Sequence, residues 1–251
     1  MTTGKAEQPF DSLEAERERS SVPTPQGRWI MGQRWEDLLF ISWPIDAAWL
    51  RPFVPEPVQI DEFEGRAWLS VVAFWMERAH FRGLPPIPHL SSFAEINVRT
   101  YVSHGDHSAV WFLSLDTESH INVFLARHAF HLPYEYAEID MRRGEETVFR
   151  SERPGGAAAV ELSYRPEGPE SVPADGSLEH FLTERYALMC ASHEAKLHRG
   201  DIQHTPWRLR AASWNAKRME VLAPLGLTVE GDPVVFYAAA TDVALWPLVR
   251  M

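Results

Sequence analysis

A mainly β fold of α+β character, antiparallel and with two or three helices packed on it, is predicted by three observations. Residues 93–102, Phe-Ala-Glu-Ile-Asn-Val-Arg-Thr-Tyr-Val, alternate strictly, and a strand sends alternate side chains to opposite faces. Residues 67–76 are almost wholly apolar, as a central strand buried on both faces requires. Turn signals recur between short β-rich runs, at Glu64-Gly65, at residues 104–107, at Arg143-Gly144 and at Pro154-Gly155-Gly156. The 251 residues, 45% hydrophobic and 12% aromatic, suffice for one large core. A single domain is therefore expected over residues 28–251, behind a mobile polar tail over residues 1–27 that contains a short charged helix near residues 14–19.

In chain order, residues 38–43 read as a buried strand ended by Pro44, and Asp46 as the N-cap of a short helix over residues 47–53. Residues 58–63 and 67–76 read as a hairpin, and the proline-rich residues 83–88 as a rigid loop. The alternating strand at 93–102 and a second at 109–116 follow, then a helix over residues 120–130 capped by Ser119, with Ile121, Phe124, Leu125 and His128 at helical spacing. Residues 134–141, 146–151 and 157–164 form a meander. A helix is expected from Ser177 to about Met189, strands at 195–199, 207–214 and 234–240, and a short helix at 218–223.

The formal net charge of −11 argues against a general nucleic-acid or anionic-membrane surface, since both need a concentrated positive field. It leaves room for a small anionic ligand, which needs only a local cation. Only Lys5, Lys196 and Lys217 are lysines, so nearly all positive charge is arginine, a planar fork suited to carboxylates. The single cysteine, Cys190, excludes an internal disulfide and reads as a small buried hydrophobe just after a helix. No apolar run reaches the ~18 residues of a membrane span and no leader pattern opens the chain, so a cytoplasmic protein is expected.

Several chemical signatures are missing. There is no Gly-rich phosphate loop, G-x-S-x-G elbow, H-E-x-x-H or C-x-x-C, which argues against nucleotide-driven chemistry and elbow-type serine hydrolysis. The histidines at 104, 107, 128, 131, 193, 198 and 204 have no tight ligand spacing, so neither a metal nor another cofactor is expected. His204, at a strand entry beside Trp207, reads either as a ligand contact or as a histidine bonded to a backbone carbonyl.

The polar face of residues 93–102 is the strongest candidate site. Glu95, Asn97 and Arg99 follow one another at about 6.6 Å along the strand and could touch one small ligand together. Arg99 would grip a carboxylate, and Glu95 would act as general acid or base. Phe93 and Tyr101 flank the row, as the apolar rim of a pocket does. The competing reading is a wet outer face on which Glu95 pairs with Arg99.

Residues 93–102, then Val110-Trp111-Phe112-Leu113-Ser114-Leu115-Asp116, then Ala126-Arg127 with Leu132-Pro133-Tyr134, resemble the YqjF-like family, domain of unknown function 2071. The resemblance extends to residues 35–40, 204–207 and 242–243, nearly everything after the tail. That family is similar in turn to acetoacetate decarboxylase, which implies a cone-like antiparallel β-barrel around an active site, with the polar row facing inward. An aromatic-x-Glu strand of the decarboxylase supplies an active-site glutamate, which Glu95 matches. Its Ala-Arg-Glu helix leads into Pro-Lys-Lys, where one lysine forms the Schiff base and the other lowers its pKa. Here Ala126-Arg127-His128 leads into Pro133-Tyr134-Glu135, so both lysines are absent. Neither phenol nor carboxylate can form an imine, and Schiff-base decarboxylation is not expected.

The resulting expectation is a small-molecule-binding barrel, with Glu95 and Tyr134 as catalytic candidates and Asn97, Arg99, Tyr101, Arg127 and His204 as binding candidates. Arg127 reads equally as a residue satisfying carbonyls at a helix C-terminus. The expected chemistry is acid/base work of lyase, hydratase or isomerase type on a small carbonyl or carboxylate compound. A non-catalytic sensor or carrier, and a partner-binding protein with a filled barrel, are the rival readings. The oligomeric state stays open, with a homo-oligomer compatible.

Overall fold

The structure is a computed structural model that describes residues 25–88, 90–192 and 194–251. The expected tail, with its short helix, lies outside the described residues except for Pro25, Gln26 and Gly27. The elements are β1 (Met31–Ile45), α1 (Ala47–Leu50), β2 (Gln59–Ile60), β3 (Glu62–Phe63), β4 (Arg66–Phe81), β5 (Phe93–His104), β6 (His107–Thr117), α2 (His120–Ala129), β7 (Tyr134–Tyr136), β8 (Glu138–Arg142), β9 (Thr147–Glu152), β10 (Ala159–Ser171), α3 (Leu178–Thr183), β11 (Ala187–Ala191), β12 (Leu197–His204), β13 (Leu209–Met219), β14 (Val234–Leu245) and β15 (Val249–Arg250).

One sheet runs β12-β11-β6-β5-β4-β1-β14 and then closes, because Ile202, Gln203 and His204 of β12 pair with Leu245, Ala244 and Val243 of β14. The remaining path, β14-β13-β10-β9-β8, folds back as a second layer over one side of the ring. Alternation on the ring strands then serves two cores. Leu39, Ile41, Leu69, Val71, Ile96 and Val98 point outward against Phe149, Val160, Leu162 and Tyr164 of the second layer. Leu38, Phe40, Val72, Phe74, Met76 and Phe93 point inward. The fold is the expected mainly antiparallel, cone-like one with peripheral helices.

Bulges keep the long strands facing inward along their whole length. An extra residue at Asp37 shifts the β1–β4 register, so Gln33 and Trp35 before it and Leu38 and Phe40 after it line the same interior. Asp37 has φ 51°, which aspartate tolerates better than most residues, and it is held there by Tyr164 Oη on its carbonyl and Tyr237 Oη on its carboxylate, each at 2.7 Å. Arg78, φ 52°, plays the same part in β4. Leu113 is the extra residue of β6.

The structure corrects several expectations. Pro44 does not end its strand: β1 continues to Ile45, with Pro44 opposite Trp68. The α1 helix starts at the expected cap, Asp46 accepting from Ala48 N at 2.8 Å, but ends at Leu50 and passes into a 3-10 turn. Only β3 forms the hairpin with β4, while β2 pairs with β5. The expected strand over 134–141 is two: β7 runs parallel to β6, and β8 pairs with β9. The helix begun at Ser177 stops at Thr183, and residues 187–191 form β11, paired with β6 and β12. Such a short apolar run suits a buried strand as well as a helix, and two flanking strands decide it. Cys190 accordingly sits in a strand. The helix expected over 218–223 is the end of β13 followed by a 3-10 turn at Ala223–Leu225.

A buried ion pair ties the ring to its second layer. Arg153, just after β9, reaches both carboxylate oxygens of Asp116 on β6, at 3.0 and 2.5 Å, and donates to Ser114 Oγ at 2.7 Å. Removing one partner strands the other charge in the core. Arg153→Met is expected to cost about 3–5 kcal/mol in urea unfolding, and a double variant with Asp116→Leu to recover most of that loss; an unchanged midpoint in the single variant contradicts the role.

Candidate functional site

Every residue of β5 from Phe93 to Val102 is buried, so its polar face is not a wet outer surface. It forms one wall of a cavity of about 240 Å³ inside the ring, a size just under that of drug-sized ligand sites, ~300–1,000 Å³. The other walls are mostly apolar, with Phe40, Phe74, Phe112, Leu115 and Ile202 prominent. Toward solvent the lining passes to Leu84, Pro85, Ile87, Leu125 and Phe130. At the opposite end the lining residue Arg99 meets α3, whose Leu182 and Thr183 are buried.

Glu95 is the one carboxylate among the described residues that line this cavity. Its Oε2 accepts from Tyr134 Oη at 2.7 Å, and its Oε1 faces Asn97 Nδ2 at a long 3.4 Å. Burial pushes the Glu95 carboxyl up to about 7, against the pull of the Tyr134 and Asn97 hydrogen bonds and with a small push from the Asp116 charge. Burial, then the Glu95 charge, raises the Tyr134 phenol well above its ordinary value, so Tyr134 remains a donor. Tyr134 reaches the site because β7 lies beside β6, with Tyr134 opposite Leu115.

Arg99 does not pair with Glu95. Its Nη2 donates to the Leu182 carbonyl at 3.3 Å, its guanidinium lies 5.4 Å from the Phe40 ring centre, and its buried Nε has no partner. Among the described residues it makes no ion pair, so a buried positive charge stands without a counter-ion in an apolar cavity. Asn97 Oδ1 is also buried without a partner. These orphaned groups lie on the one polar wall, where ligand atoms could satisfy them.

The other candidates fall elsewhere. Tyr101 is fully buried behind the cavity, its hydroxyl donating to the Leu182 carbonyl at 2.8 Å and lying 2.7 Å from Ser70 Oγ. Its part is to hold α3 in place. Arg127 is half-exposed and bonds the Tyr134 carbonyl and the Glu135 carboxylate, so it fixes the approach to β7 without reaching the cavity. His204 lies outside the cavity lining, with Nδ1 at 2.7 Å from the Thr205 carbonyl and its ring stacked on Tyr186; burial lowers its pKa. The carbonyl-bonded reading of His204 is the observed one. Cys190 is buried, its thiol pushed up to about 11 by burial and directed at the Phe130 carbonyl.

Sequence reasoning missed the mouth. The apolar stripe of α2 looks core-facing, yet no α2 residue is buried, and Leu125 lines the cavity entrance instead. Asn122 Nδ2 bonds the Leu90 carbonyl at 3.2 Å and couples α2 to the opposite lip. The two lysines among the described residues are on the surface, Lys196 paired with Glu194 and Lys217 with Glu161.

The sequence pattern of DUF2071, described as "Uncharacterized conserved protein", matches residues 32–242. The chain belongs to this family. It is 37% identical over 234 residues to Uncharacterized protein YqjF of Bacillus subtilis (strain 168), covering 92% of this chain and 96% of that protein. In fold it is similar to the enduracididine biosynthesis enzyme MppR complexed with pyruvate, with TM-score 0.63, 11% identity and 93% of each chain covered. It is also similar to acetoacetate decarboxylase from Legionella pneumophila, with TM-score 0.62, 12% identity, and 100% and 98% of the two chains covered. At such identity these two structures establish the shared fold. No helix among the described residues is long and apolar enough to cross a membrane.

The raised Glu95 carboxyl links folding to pH. The folded state keeps a proton that the unfolded chain, with an ordinary value of 4.5, releases, so this group's contribution to stability is full below 4.5 and is lost as the pH climbs to about 7. The full displacement corresponds to about 3 kcal/mol. Glu95→Gln is expected to flatten the stability profile between pH 4.5 and 7, and Tyr134→Phe, which removes a bond that favours the carboxylate, to extend the decline to higher pH. Melting temperature against pH for the three proteins checks both, and parallel profiles would count against a displaced Glu95.

Proposed function

We propose that this protein binds a small carbonyl or carboxylate compound inside the ring and performs acid/base chemistry on it, of lyase, hydratase or isomerase type, without a Schiff base. The observation that carries the reading is a buried carboxylate, raised to about 7 and hydrogen-bonded by a phenol, in the same cavity as an arginine with no ion pair among the described residues. A general base is most effective when its pKa lies near the working pH. A buried guanidinium without a counter-ion is costly to folding, and a bound carboxylate would offset that cost.

In this reading Arg99 holds the substrate carboxylate, using the donors left free by its bond to Leu182. Glu95, ionised, takes a proton from a carbon next to the substrate carbonyl, and the electron pair of the C–H bond moves onto the carbonyl oxygen as an enolate. As Glu95 becomes neutral, its hold on the Tyr134 hydroxyl weakens, and that hydroxyl turns to donate to the enolate oxygen. Return of the proton, or departure of a group on the neighbouring carbon, completes an isomerase or lyase cycle. Asn97 supports both states, its amide N–H on Glu95 and its free oxygen toward the ligand.

Two further facts support it. MppR, whose fold this chain shares, is described as an enzyme complexed with pyruvate, an oxo acid. The surface positions of Lys196 and Lys217 favour proton transfer over imine chemistry.

Exchange of carbon-bound hydrogen in D2O, followed by NMR on a panel of small 2-oxo and 3-oxo acids, tests the chemistry. Catalysed exchange is expected, rising with pH to a plateau above about 7 and falling about 10²–10⁴-fold in Glu95→Gln. Exchange that survives this substitution would remove Glu95 as the base. An acid that binds tightly and neither exchanges nor turns over would favour the sensor or carrier.

A further inference from the structure

The cavity carries its charged groups at one end and along one wall, and is mostly apolar on the way out, with Gln33, His80, Ser91 and Asn122 as the polar exceptions. Phe93 stands near the mouth, and Arg99 is six residues further along β5, about 20 Å deeper at the rise of a strand. Just beyond Arg99 the channel ends, because the Leu182 carbonyl of α3 takes bonds from both Arg99 and Tyr101. Glu95 and Tyr134 lie between this floor and the mouth. Toward solvent the lining includes exposed apolar side chains, with Leu125 at 46%, Ile87 at 56% and Leu84 at 59%. These side chains belong to two separate segments that face the same opening. A ligand as small as pyruvate would reach the floor and leave this track to water.

We infer that the substrate is an amphipathic monocarboxylic acid with an oxo or hydroxy group and an unsubstituted apolar tail, bound carboxylate-first against Arg99, with its tail running past Glu95 and out between α2 and residues 84–87. The inference rests on the acid-binding reading above and narrows it to one substrate class. The floor accepts one anionic head, the middle of the channel carries the proton-moving groups, and the upper walls offer mainly dispersion and apolar burial. A dicarboxylate would bring its second charge against Leu125, Ile87 and Leu84, where the lining residues include no lysine or arginine.

Calorimetric affinities of the full chain for straight-chain acids from acetate to decanoate, alongside the matched primary alcohols, test this directly. Each added methylene is expected to tighten binding about fourfold until the tail meets solvent. The alcohols are expected to bind about tenfold or more weakly than the acids, a gap that Arg99→Gln closes. Leu125→Asp is expected to weaken decanoate about tenfold more than butyrate. Affinity that does not change with chain length overturns the tail track, and alcohols that match the acids overturn the carboxylate floor; both comparisons use the unsubstituted protein and so survive any variant that fails to fold. These readouts are affinities, so they separate from the chemistry. A steep series with exchange intact in Glu95→Gln keeps this inference and removes the acid/base reading, whereas a flat series with exchange abolished does the reverse.

Discussion

The short pairing between β12 and β14 is the contact on which the site depends. It joins strands from opposite ends of the path β12-β11-β6-β5-β4-β1-β14 and turns an open sheet into a ring. Closure gives each ring strand an inner face, and for β5 that face carries Glu95, Asn97 and Arg99. An open sheet would leave the same residues in water, where a carboxylate keeps its ordinary pKa and an arginine needs no partner. The displaced acidity of Glu95 is therefore a property of the ring as much as of the residue.

The electrostatic arrangement inside the ring is deliberately incomplete. Among the described residues, Glu95 is served by a phenol and a distant amide, and Arg99 by one backbone carbonyl and the faces of two aromatic rings. Had the two paired, each would be neutralised and the cavity would hold a structural salt bridge like Arg153 with Asp116. Keeping them apart costs folding free energy, and groups held in that way are characteristic of sites that bind or react. Tyr101 and Arg127, which look like members of the site, support it from outside: one anchors the floor, the other the strand entry that presents Tyr134.

Much of this was legible in the chain. The two-residue period of residues 93–102 identifies a strand with one polar face, and the resemblance to the DUF2071 family supplies the closed form that turns that face inward. The remainder depended on contacts distant in sequence. Tyr101 shares the parity of Glu95 and Arg99, and nothing local shows that its hydroxyl is taken by Leu182, 81 residues away. The run from Ala187 to Ala191 is too short for periodicity to separate helix from strand, and β6 and β12 settle it by pairing on either side. The stripe on α2 looked like a core face because apolar periodicity reports a covered or coverable surface and does not distinguish a core from the rim of a pocket. Asp37 carries no recognisable bulge signature, although it determines which side chains of β1 enter the cavity.

The central claim is that ring closure holds Glu95 as a protonatable group near neutrality, and infrared difference titration of its carboxyl, assigned by subtraction of the Glu95→Gln variant, tests it most directly. A protonated-carboxyl band that disappears with a midpoint near 7 is the expected result. A midpoint at the ordinary value of 4.5 would show that water reaches the carboxylate, and would contradict both the closed interior and the proton-transfer role assigned to it.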